Sequence, residues 1–292
     1  MAPSEGIHRR RLLQWSAAGL STPAAVEAAP KRNPTLTLLE IPIELAGDWR
    51  ESAAADVRAV LAWMRLACLD DIGLCSDRQP EKLRVEDHAS GPPHIWLHTD
   101  NPTTASIVVD VGARDWCKLA YQFGHELGHV LANSWTPDGR PHNPCQWLEE
   151  ACVEAFALRG LGRLAASWRE RPPFPNDGAY ADSILNYRER TLAPDRNAAL
   201  EQGAGAGLGA WFTAHREYLE THGTVEAARP LVPVLIQHFE RDSSLVEALG
   251  AMNRWPQRTS LPLPDYLARW ALSCKERGAR GDLPSVLKAW LA

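Results

Sequence analysis

The spacing of apolar and polar side chains changes period several times along the chain. Over residues 35–44 the run Thr-Leu-Thr-Leu-Leu-Glu-Ile-Pro-Ile-Glu alternates until Pro42 interrupts it, which predicts a strand or strand pair. The period then lengthens. Val57, Val60, Leu61, Met64 and Leu66 recur at helical spacing within residues 49–69, so an amphipathic helix is expected there. Three short extended segments follow at 83–87, 94–98 and 106–111, separated by turns that carry Pro and Gly. They predict an antiparallel meander that closes at Gly112.

From Asp115 to about Asn133 the residues Trp116, Leu119, Ala120, Phe123, Leu127, Val130 and Leu131 form one broad apolar face, the pattern of a core-facing helix. A loop dense in turn formers, 136–144, separates it from a second helix expected over 145–164. Beyond the Pro-rich loop 171–178, helical spacing recurs near 181–192, 196–220, 224–250, 264–277 and 283–292, with a flexible Gly-Ala stretch at 202–207. The expected fold is α+β: a small, mainly antiparallel sheet with two site-bearing helices, followed by a mostly helical C-terminal part. The expected organisation is a catalytic domain over 30–165 and a helical subdomain over 166–292.

Composition narrows the function classes. A chain of 292 residues, 45% hydrophobic and 23% charged, has enough apolar surface for a real core. A net charge of -5 leaves no basic excess to neutralise phosphates, so no nucleic-acid partner is expected. No apolar run is long enough for stable membrane insertion. The six cysteines form no Cys-x-x-Cys pair and are not expected to hold a metal. Cys68 with Cys75, or Cys145 with Cys152, are close enough in sequence to pair, and each is equally readable as a buried thiol.

Chemistry concentrates in Gly124-His-Glu-Leu-Gly-His-Val130. Histidines four apart on a helix share a face, so His125 and His129 can reach one ion. Glu126, one position round, is placed to accept a proton from the attacking water and pass it to the leaving amine. Two histidines leave the protein one ligand short of the three that a catalytic zinc takes. The second helix offers Glu149, Glu150 and Glu154 in an otherwise apolar stretch, where a carboxylate is costly unless paired or coordinated.

Of these, Glu150 is the expected ligand. Glu154 follows it on the same face one turn later, and the small Ala151 and Ala155 let the two helices approach. Glu149 points about 100° away and has Val153 one turn on, so it is expected to leave the metal unaffected.

His125-Glu-Leu-Gly-His129 followed by Glu150-x-x-x-Glu154 resembles the gluzincin metallopeptidases of the thermolysin-like clan, over roughly residues 83–165. The resemblance implies zinc held by His125, His129 and Glu150, with Glu126 as general base. It also implies a supporting acidic group on the first histidine, Glu154 here where the clan usually has Asp, and a peptide or protein substrate running along the strand at 94–98 or 106–111. A metzincin continuation is absent, since Ala132 and Trp135 stand where Gly and His would be required. Tyr180, Tyr187, His215 and His238 are weaker candidates for stabilising an oxyanion. Alternatives are a zinc amidase acting on cell-wall or other non-protein amides, or a binding module that keeps zinc only for structure.

The start of the chain reads as an address. His8-Arg-Arg-Arg-Leu-Leu-Gln14 and the mild apolar stretch after it resemble a twin-arginine export signal, with small residues around Ala28 suited to cleavage. Residues 1–29 are therefore expected to direct the protein to the periplasm or beyond, the alternative being a cytoplasmic protein with a basic N-terminus.

Overall fold

A computed structural model of the protein describes residues 37–292 apart from 74–75, 89–90, 98–99, 112–113, 137, 139–141, 202–206 and 292. The expected signal segment 1–29, Cys75, Gly112 and most of the Gly-Ala stretch lie outside the described residues.

Four strands form one sheet in the order β1-β2-β4-β3: β1 Ile43–Gly47, β2 Lys82–Asp87, β3 His94–Trp96 and β4 Thr104–Val109. β1 and β4 both run parallel to β2, in registers Leu45 to Val85 and Val85 to Ile107, while β3 runs antiparallel to β4 with Ile95 opposite Ile107. The sheet is thus mixed, and the segments 83–111 are not a simple meander. Strand alternation encodes which face is buried but not the direction of pairing, and the long links through helix α1 (Ala54–Leu69) and through β3 allow parallel neighbours. Every residue of β4 is buried, as expected of a strand covered on both faces. The first strand starts later than its alternation suggests, because residues 37–40 turn before Pro42.

β4 feeds helix α2 (Trp116–Leu131) through a hydrogen-bonded corner. The Val111 amide donates to Asp87 Oδ1 (2.9 Å) and the Asp110 amide to Gln122 Oε1 (2.9 Å). Asp115 caps the helix by accepting from the Lys118 amide (3.1 Å).

Helix α3 (Gln146–Glu170) runs 25 residues through the centre of the molecule, several residues beyond its expected end. Most of its side chains are buried, because it packs against α1, α2, and the later helices α4 (Tyr180–Glu201), α5 (Gly207–His222), α6 (Val225–Ala228) and α7 (Val232–Arg241). A helix contacted on so many sides is a core helix, and its buried Glu149, Glu154 and Arg159 all have polar partners. α2 lies close to it because Gly128 presents no side chain: a Cβ there would stand 2.8 Å from Val153 Cβ.

The C-terminal part is helical as expected. α4 continues past Pro194, where the sequence suggests a break, with Leu192 and Asp195 buried on either side. The segment 224–250, by contrast, divides into α6, α7, α8 (Ser244–Glu247) and 3-10 turns at 229–231 and 248–251. Helices α9 (Leu263–Arg277) and α10 (Leu283–Leu291) complete the chain. No helix among the described residues is long and apolar enough to cross a membrane. Cys145 and Cys152 are buried free thiols and do not pair.

Candidate metal centre

α2 and α3 bring His125, His129, Glu149, Glu150 and Glu154 together. The four-residue spacing puts the two imidazoles side by side, ring centres 5.1 Å apart. Glu150 Oε2 lies 3.4 Å from His125 Nε2 and 3.6 Å from His129 Nε2. Donors about 2.0–2.1 Å from a tetrahedral ion stand roughly 3.3–3.4 Å from one another. The three ligand atoms lie within 4.8 Å of each other, and His125, His129 and Glu150 could hold a metal ion.

The other nitrogen of each ring is also held. His125 Nδ1 is 2.9 Å from Glu154 Oε2, and His129 Nδ1 is 2.8 Å from Glu149 Oε1. A carboxylate facing Nδ1 of each ring fixes its orientation, with Nε2 directed at the ligand position. Tyr121, one turn before His125, donates its hydroxyl to both Glu154 oxygens (3.0 and 2.9 Å). Glu149, expected to stand apart, therefore supports the second histidine. Adjacent glutamates leave the helix about 100° apart, yet an imidazole offers two diverging nitrogens, so Glu150 takes one side of His129 and Glu149 the other.

Glu149 is 1% exposed, and its charge is met by groups far along the chain. Asn253 Nδ2 donates to its Oε2 (2.8 Å), Ser134 Oγ donates to Oε1, and Arg258 Nη2 stands 3.4 Å from Oε2. The tyrosine hydroxyl of Tyr266 donates to Asn253 Oδ1 (3.1 Å), which fixes the amide. Ser134, Asn253 and Arg258 carry no local sequence signal; Tyr121 could have been found from its position four residues before His125.

Electrostatics follow from six acidic and imidazole groups in a small buried volume: His125, Glu126, His129, Glu149, Glu150 and Glu154. Burial by itself disfavours the imidazolium of His125, but hydrogen bonds to Glu150 and Glu154 outweigh it and push the group up to about 10. His129 is raised well above its ordinary value, burial again being overcome by Glu150 and Glu149. Burial would raise Glu150, yet the two histidines hold it well below the usual carboxylate range. Glu126, 3% exposed, is raised chiefly by its burial, the direction that suits a proton acceptor working near neutrality.

A cavity of about 260 Å³ opens onto these groups. His125, Glu126, His129, Glu149 and Glu150 line one side, and Pro93, His94, Ile95 and Leu97, in and beside the edge strand β3, line another. The neighbouring strand β4 is enclosed between β2 and β3. His94 and Gln146 add nitrogen donors to the wall; neither stands out in the sequence.

Tyr180, Tyr187, His215 and His238 do not line this cavity. Tyr180 accepts from Cys117 Sγ (3.3 Å), Tyr187 packs on Tyr121, His215 bonds the Trp211 carbonyl and His238 packs against Trp290 with its ring tilted. No protein-family model matches the chain, and comparison with curated proteins and with solved structures finds no significant match.

Proposed function

We propose that the protein is a zinc-dependent peptidase whose metal is held by His125, His129 and Glu150. The observation that carries this is the convergence of both Nε2 atoms on Glu150, at 3.4 and 3.6 Å, with Glu126 in the wall of the same cavity. Nitrogen and carboxylate donors without thiolates suit zinc in a catalytic rather than a closed structural site. Zinc bound there would polarise a scissile carbonyl and lower the pKa of the attacking water.

The chain's own side chains supply the rest. Glu126 takes the proton from the attacking water and returns it to the leaving nitrogen. Glu154 and Glu149 hold His125 and His129 in place. The exposed edge of β3 offers main-chain groups to an extended peptide, since no strand pairs its far side among the described residues. His94 and Gln146 are the wall residues with N–H groups available to a developing oxyanion.

The test is metal analysis of the purified protein with a peptide-library cleavage screen that also contains cell-wall amides, comparing native chain and Glu126→Gln. One zinc per chain in both, with cleavage only by the native chain, supports the reading. Zinc with hydrolysis confined to the cell-wall amides makes it an amidase, and zinc without hydrolysis of any amide makes it a binding module. We also propose export: residues 1–34 fused to a reporter should leave the cytoplasm in a manner that depends on Arg9, Arg10 and Arg11. Cytoplasmic retention would remove that assignment.

A further inference from the structure

Arg258 is 5% exposed, and among the described residues its Nε and Nη1 have no hydrogen-bond partner. A guanidinium so enclosed is costly unless its charge is met. Its Nη2 donates to Ser134 Oγ and faces Glu149 Oε2, the carboxylate that holds His129 Nδ1. The backbone around it is also forced. Asn253, Gln257 and Arg258 all have positive φ (56°, 65° and 25°), a region L side chains rarely adopt. Asn253, from the same segment, donates to Glu149 as well.

The neighbouring groups define what this arrangement does. Glu149 is packed among His129, Ser134, Asn253 and Arg258, and Arg258 is the permanent cation of that set. Without it, the Glu149 carboxylate would be held against His129 by Ser134 and Asn253 alone. We propose that Arg258 is a positioning residue for the metal site. Through its bond to Ser134 and its 3.4 Å approach to Oε2, it holds the Glu149 carboxylate against His129 Nδ1, so that Nε2 stays directed at the metal. This rests on the metal-site reading above.

The experiment is a zinc titration against a chromophoric chelator of known affinity, on the full chain. Native protein is compared with Arg258→Met, Arg258→Lys, Glu149→Gln and the double variant Arg258→Met/Glu149→Gln, with thermal unfolding followed in parallel. Arg258→Met should weaken zinc roughly ten- to a hundredfold, and Arg258→Lys should recover part of that loss. Because both act on one hydrogen bond, the double variant should bind zinc no worse than the weaker-binding of the two single variants. Native-like affinity in Arg258→Met, or losses that multiply in the double variant, would overturn the proposal. If Arg258→Met does not fold, Arg258→Lys decides the matter against Glu149→Gln: the affinity lost in Arg258→Lys must vanish in the Glu149→Gln background. A native chain that takes up no zinc would overturn the metal reading and this inference with it.

Discussion

Glu149 Oε1 stands 2.8 Å from His129 Nδ1, so the residue next to the expected metal ligand holds the far side of the second histidine. This revises the ranking of the three glutamates. Glu150→Ala should remove both zinc and activity, because Glu150 faces both Nε2 atoms. Glu154→Ala and Glu149→Ala should each weaken zinc by roughly ten- to a hundredfold, the usual effect of losing a group that orients a ligand. Zinc occupancy measured after dialysis against graded chelator would give the order. Near-native occupancy in Glu149→Ala would show that its contact with His129 is incidental.

Tyr121→Phe removes the hydroxyl that donates to both oxygens of the buried Glu154. A buried acceptor left short of a donor costs about 1–3 kcal/mol. We expect a lower melting temperature and a smaller loss of zinc affinity than in Glu154→Ala, since Glu154 would still reach His125. A melting curve indistinguishable from native would contradict this.

Helix contact at the site depends on Gly128. Gly128→Ala places a Cβ 2.8 Å from Val153 Cβ and 3.2 Å from Phe156 Cδ1, so the helices must separate. Overpacking of this kind costs about 1–3 kcal/mol, against a gain of about 1 kcal/mol from helix propensity. Separation also carries Glu150 away from the histidines, so zinc affinity should fall together with stability. Gly124→Ala meets mainly Met64 Cε, the end of a flexible side chain, and should be milder in both measurements.

Asp195, 5% exposed, has its carboxyl pushed up to about 7 by burial and by the nearby charge of Glu154, with Arg229 opposing. In the unfolded chain the same group titrates at its ordinary 3.8. Between these values the folded protein holds a proton that the unfolded chain has lost, so stability contributed here declines as pH rises from about 4 to about 7. Asp195→Asn should therefore melt higher than native at pH 8 and close to native at pH 4. Equal differences at both pH values would show that Asp195 does not titrate in this range.

Sequence and structure agree where side-chain period carries the information. The apolar face running from Trp116 to Leu131 predicts α2 within about two residues at each end, and the four-residue spacing of His125 and His129 predicts their shared face. Period does not carry strand direction, so the parallel pairing of β2 with β4 is not readable from two alternating runs. Nor does it carry contacts across more than a hundred residues. Asn253 sits in an irregular segment after the 3-10 turn at 248–251, and Arg258 opens a second such turn at 258–260, where nothing local marks either as a partner of Glu149. Pro194 misleads for the opposite reason, as buried neighbours on both sides keep the helix going through a residue that breaks exposed helices.

The reach from Tyr121 to Arg258 has a consequence for how the protein is made. A ribosome delivers the histidines and all three glutamates first, but Asn253 and Arg258, which hold Glu149, emerge about a hundred residues later. At elongation rates of roughly 5–20 residues per second, the nascent chain spends several seconds with His125, His129 and Glu150 made and the Glu149 carboxylate without its cation. The support that Glu149 gives to His129 is thereby completed only after Asn253 and Arg258 have been made.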